Sequence, residues 1–150
     1  MKICGEISSS KGFYIGDICY AMKDELYHGV WGDRFGFNDG CHEIAEHKLR
    51  FAVAGTAYGD GTYGGTNGFR FPVDAGNIGV VPLEMCSGRK LEGYGNCGMV
   101  VDQPGTVRYS AEDGVFFIVL PDGSNFSIDT HYDADEDSED YEDDDDEYDV

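Results

Sequence analysis

The chain is 150 residues long, rich in glycine, tyrosine and phenylalanine, and carries a net charge of −20. That length is the size of one domain, and it buries enough apolar surface to fold without disulfides or metals. The charge disfavours free nucleic acid and anionic membrane surfaces as partners and favours basic proteins. In chain order, 2–7 is a short strand candidate followed by a turn. Residues 12–22 read as a strand with Gly16 in its middle, a sign of a bulge or close approach. Residues 23–31 suit one or two helical turns, 32–40 a loop, and 42–49 is ambiguous. Segments 50–58 and 65–74 alternate as strands, the second placing Phe69, Phe71 and Val73 on one face. Residues 78–85 read as a buried strand in which Pro82 marks an edge or a bend, and 87–98 reads as a loop. Two further strands, 98–102 and 106–112, precede the clearest signal, GVFFIVLPDGSNFSIDT at 114–130. There a Pro-Asp-Gly-Ser turn joins two apolar runs into a hairpin. About eight short strands at this spacing predict an all-β fold, a single compact sandwich or small barrel.

Residues 131–150 hold thirteen of the thirty acids and no lysine or arginine, so this segment carries −13 and residues 1–130 carry −7. The expected organisation is a β-rich globular domain over 1–130 and an acidic, disordered tail over 131–150. Five cysteines, odd in number and without C-x-x-C spacing, do not make a disulfide framework. With no export-type or membrane-length apolar run, reduced thiols in a cytoplasm are expected, the host cytoplasm if a phage encodes the chain.

The most patterned stretch is YGDGTYGGTNGFRFPVDAG, 58–76. Gly59-Asp60-Gly61-Thr62-Tyr63 repeats the pattern of Gly16-Asp17-Ile18-Cys19-Tyr20, and Gly32-Asp33-Arg34-Phe35 is a looser third copy. Two readings stand. In one, Asp17, Asp60 and Asp74 converge, with Tyr20 and Tyr63, on a nucleotide-like ligand, alone or with a divalent cation such as Mg²⁺ or Ca²⁺. In the other, aspartate and glycine are turn residues that cap their own backbone, which alone accounts for the composition. No P-loop, Rossmann or EF-hand pattern is present, so no cofactor and no catalytic residue is assigned. Cys41, His42 and His47 lie close in sequence, but without the paired spacing of a zinc site. Trp31, Phe35, Phe37, Tyr58 and Tyr63 sit in or beside glycine loops, as a platform for a partner or as core beneath the loops.

Rings set among acids, at Tyr132, Asp135, Asp140, Tyr141, Asp144 and Tyr148, suit a segment that lies along a basic groove of a partner protein. The segments GFYIGDICYAM, VAGTAYGDGTY and FPVDAGNIGVVPLE and the hairpin around LPDG resemble small proteins of bacteria and their phages. The VDAGNIG segment also resembles part of a larger bacterial family. That resemblance implies a bacterial or phage cytoplasm and a compact β domain, and it brings no activity or catalytic residues. The expected function is non-enzymatic binding, and possible inhibition, of a basic host protein such as a nucleic-acid-handling or defence factor. The alternatives are a small-molecule binder or metal-dependent hydrolase built on the aspartates, and a structural or assembly component.

Overall fold

A computed structural model of the protein describes residues 2–94 and 97–132. The chain is all-β in class, with short helical segments between strands. Strands β1 (Lys2–Ser9), β9 (Gly105–Glu112), β10 (Val115–Val119) and β11 (Asn125–Asp129) pair in that order into a four-stranded antiparallel sheet. A five-stranded antiparallel sheet contains, in order, β3 (Gly40–Ile44), β4 (Leu49–Gly55), β7 (Asn77–Pro82), β2 (Phe13–Gly16) and β8 (Gly98–Val101). The ribbon of β5 (Gly61–Gly64) and β6 (Arg70–Val73) closes one side.

The two sheets face each other across one apolar core. Ile7, Val107, Phe116, Ile118 and Ile128 meet Ile15, Ala52, Ile78 and Val80 there, and Tyr63 and Phe71 of the ribbon complete it. The Tyr109 hydroxyl in this core donates to the Ile78 carbonyl at 2.7 Å, tying the sheets together without a buried orphan donor. β1 passes so close to Cys41 on β3 that no side chain fits at Gly5. On its other face the five-stranded sheet is covered by the segments that leave its strands. Tyr14, Phe51, Val53 and Val81 pack there against Ile18, Met22, Trp31 and Met85. Every residue of β2 and β7 is therefore buried, as continuous apolar runs require.

The PDGS hairpin forms as expected, with β10 paired to β11. The Asp122 carboxylate accepts from the Ser124 amide at 2.9 Å, and Gly123 takes the left-handed φ of 91° that the turn needs. Among the described residues eleven strands form rather than about eight. The strand expected over 12–22 stops at Gly16, because Asp17 caps a single 3₁₀ turn over Ile18–Tyr20. β7 is not an edge strand. Pro82 is its last residue, where a missing amide costs little, and β2 and β4 flank it. The loop expected over 87–98 contains a helix, α2 (Gly88–Tyr94). The Ser87 hydroxyl accepts from the Lys90 amide, and Lys90 Nζ donates to the carbonyls of Cys19 at 3.2 Å and Met22 at 2.8 Å. Strands 98–102 and 106–112, adjacent in sequence, belong to different sheets.

Candidate functional site

Asp17 is fully buried and its carboxylate is occupied by backbone. Oδ1 accepts from the Cys19 amide at 3.0 Å, while Oδ2 accepts from the amides of Asp74 at 2.7 Å and Ala75 at 2.6 Å. Three amide donors compensate the desolvation of this charge. Asn77, also buried, completes the clamp: its Oδ1 accepts from the Ile18 amide at 3.2 Å and its Nδ2 donates to the Ala75 carbonyl. The Tyr14 hydroxyl donates to the Asp17 carbonyl at 3.0 Å, and burial pushes that phenol well above its usual range, with Asp17 adding to it. The unit welds the end of β2 to the turn between β6 and β7.

Asp74 joins this unit through its amide, and its side chain points into solvent. Tyr20 stands nearby, half-buried against Tyr94 with ring centroids 5.5 Å apart. Burial, and then the Asp74 charge, raise its hydroxyl to about 12. Asp60 is exposed on the turn before β5, and Tyr63 is a core residue whose hydroxyl donates to the Gly59 carbonyl at 2.8 Å. The two G-D-x-x-Y copies thus occupy opposite environments. Among the described residues no three His, Cys, Asp or Glu side chains form a metal-holding group. The His47 side chain lies outside the described part, as do Asp135, Asp140, Tyr141, Asp144 and Tyr148, whereas Tyr132 is described and exposed.

The cysteines are all free thiols. Burial raises Cys41; it raises Cys86 to about 12, helped by the Glu84 charge; and it raises Cys19 further, with Asp17 contributing. These three are shifted away from the thiolate a nucleophile needs. For Glu84, burial works to raise the carboxyl. It is outweighed by hydrogen bonds from Ser9 Oγ at 2.5 Å and from Ser10, which hold the group below the usual glutamate range.

Two clefts border Asp39 and Gly55. The larger, about 670 Å³, lies at one end of the sandwich, where Asp39, Glu112, Asp113 and His131 line it. Thr130 is buried beside this end. Its Oγ1 donates to the Gly114 carbonyl at 2.6 Å and accepts from the Ala57 amide at 2.8 Å.

The second cleft, about 390 Å³, is walled by Tyr27, Trp31 and Phe37, with Asp39, Gly76 and Asn77 around it. Its aromatic wall grows from α1 (Asp24–Leu26) and the wider π-helical turn Tyr27–Gly32 that follows. The turn is closed by i to i+5 bonds, from the Asp33 amide to the His28 carbonyl and from Phe35 to Val30. Such turns are rare and recur at functional sites. Trp31 and Phe37 meet edge-on at 5.1 Å, as do Tyr27 and Trp31 at 5.2 Å. Phe37 has a left-handed φ of 57°, costly for an aromatic residue, yet it is half exposed. Its ring lies over Gly32, where an added Cβ would stand 2.6 Å from the ring. Trp31 Nε1 donates to the Asn38 carbonyl at 2.8 Å, and Asp39 Oδ2 accepts from the Gly55 amide at 3.1 Å, which fixes the carboxylate at the rim. Trp31 and Phe37 stand out in the sequence; Tyr27 and Asp39 do not. The signal that marks them is Asn38-Asp39-Gly40, a polar turn directly after an aromatic cluster.

No family model matches the sequence, and no curated protein and no solved structure matches it either. Among the described residues no helix is long and apolar enough to cross a membrane.

Proposed function

We propose that the protein is a non-enzymatic binding protein that engages, and thereby inhibits, a basic host protein. One observation carries the proposal: beyond Thr130 the chain holds thirteen acids and no lysine or arginine. The body supports it. Asp39, Glu112 and Asp113 line the cleft at the end where buried Thr130 anchors the chain, so the acidic run leaves the body at a surface of its own sign. Such a continuous field steers a cationic partner and repels nucleic acid and anionic membrane. The occupied Asp17 carboxylate also supports a binding role over a hydrolytic one, because its lone pairs already face backbone amides.

A phage or bacterial cytoplasm as the setting, and a nucleic-acid-handling or defence factor as the target, belong to the same proposal and rest on the motif resemblance. The test replaces every Asp and Glu of residues 131–150 by Asn and Gln and compares this chain with the native one. Each is used to capture proteins from bacterial lysate at low and moderate salt, and the affinity of any shared partner is then measured. The expected partner is basic, binds the native chain at least about tenfold more tightly, and loses that advantage as the screening length shrinks from about 10 Å at 0.1 M salt to about 3 Å at 1 M. Equal affinity and equal salt dependence for the two chains would remove the proposal.

A further inference from the structure

We propose that the cleft walled by Tyr27, Trp31 and Phe37 and rimmed by Asp39 is a receptor for an arginine side chain of the basic partner. The partner's chemistry rests on the function proposed above; the cleft's geometry does not. Three aromatic residues and one carboxylate share a space of about 390 Å³, ample for a guanidinium and its aliphatic stem. Aromatic faces carry negative potential, so a cation set among them gains what a neutral group does not. Asp39 forms no ion pair among the described residues, and the hydrogen bond from the Gly55 amide orients its carboxylate and leaves its charge. The chain as a whole is strongly negative as well, so its net field opposes an anion.

Among cations, guanidinium fits best. It is planar, it stacks on rings, and it presents a fork of donors that a fixed carboxylate accepts, whereas an ammonium is a more strongly hydrated point charge. The cost paid in the fold points the same way. Phe37 keeps a left-handed backbone with half its surface in water, and Gly32 leaves room for its ring, an arrangement that packing alone does not require of an exposed residue.

The molecule carries its own reporter, since Trp31 is the one tryptophan of the chain and its indole is part of the wall. The experiment titrates the full chain with Nα-acetyl-arginine amide and follows Trp31 fluorescence. The neutral isostere Nα-acetyl-citrulline amide and the lysine analogue serve as comparisons. A saturable change with the arginine probe is expected, absent with citrulline and weaker with lysine. Asp39→Asn keeps an acceptor for the Gly55 amide and loses the charge; its binding should be about tenfold weaker with an unchanged circular dichroism spectrum. The chain with a neutralised acidic segment should bind the probe like the native one. No saturable response, an equal response to citrulline or lysine, or unchanged affinity in Asp39→Asn would overturn the assignment. The two proposals fail separately. Probe binding without salt-sensitive partner capture leaves the cleft and removes the acidic-segment reading, and the reverse removes the cleft alone.

Discussion

The central strands of the five-stranded sheet are covered on both faces and the four-stranded sheet on only one, and their sequences differ accordingly. In β7 all six residues are buried, whereas in β9 buried Val107, Tyr109 and Ala111 alternate with outward-facing neighbours. The central strands β2 and β7 have no free face on which to place a polar group, so polar residues collect at their ends. Asp17 follows β2 and Asn77 opens β7, each satisfied by backbone. The singly covered sheet shows water a mixed surface of Lys2, Glu6, Arg108 and Phe117 around a shallow depression. The difference teaches where this protein tolerates change: freely outside the second sheet, hardly at all around the first.

Neighbours on β10 sharpen that contrast most. Phe116 is fully buried between the sheets and Phe117 is 44 % exposed on the outer face. Phe116→Ala should cost about 3–5 kcal/mol in denaturant unfolding, the usual toll of an emptied core aromatic. Next comes Asp17→Ala, which strips three amides of their acceptor and should cost about 3 kcal/mol, since each buried donor left unpaired costs about 1–3. A loss below about 1 kcal/mol would mean that water replaces the carboxylate and that the clamp is not what joins β2 to the β6–β7 turn.

The third prediction concerns pH. Tyr14 on β2 and Cys86 in the layer that covers its sheet have folded-state values raised by burial. The unfolded chain ionises these groups first, so their contribution is complete below about pH 8.5, the ordinary thiol value, and declines as pH rises toward the folded value of Cys86, about 12. Glu84 runs the other way. Its folded value is depressed, so its contribution is present above the ordinary glutamate value of about 4.3 and is lost as pH falls through the lower folded one. Thermal melts between pH 8 and 11 should show a falling midpoint that Cys86→Ala flattens; a midpoint independent of pH there would contradict the burial assigned to these groups. The smallest effect is expected of Phe117→Ala, within about 0.5 kcal/mol of the native chain. A loss comparable with that of Phe116→Ala would show that the outer face is covered after all.

Much of this architecture was legible where local chemistry decides the outcome. The 114–130 hairpin announces itself because Pro121, Asp122 and Gly123 set the turn from within. The reading faltered where distant residues decide. Helix α2, with glycines at 88 and 93, is held by Lys90 reaching carbonyls about seventy positions away, which no local propensity encodes. The aspartates make the same point about the site. Asp17 and Asp60 have matching neighbours in sequence, yet one is sealed beneath the amides of residues 74 and 75 and the other is in water. Likewise Asp39 joins the aromatic wall only because Gly55, sixteen residues on, takes hold of its carboxylate.

The Thr130 anchor has a mechanical consequence. Anything that grips the chain beyond it and pulls loads three bonds at once, two to the Gly114 carbonyl at the β9–β10 turn and one to Ala57 just past β4. The force is shared between the two sheets at their common end and does not peel β11 away from β10 one bond at a time.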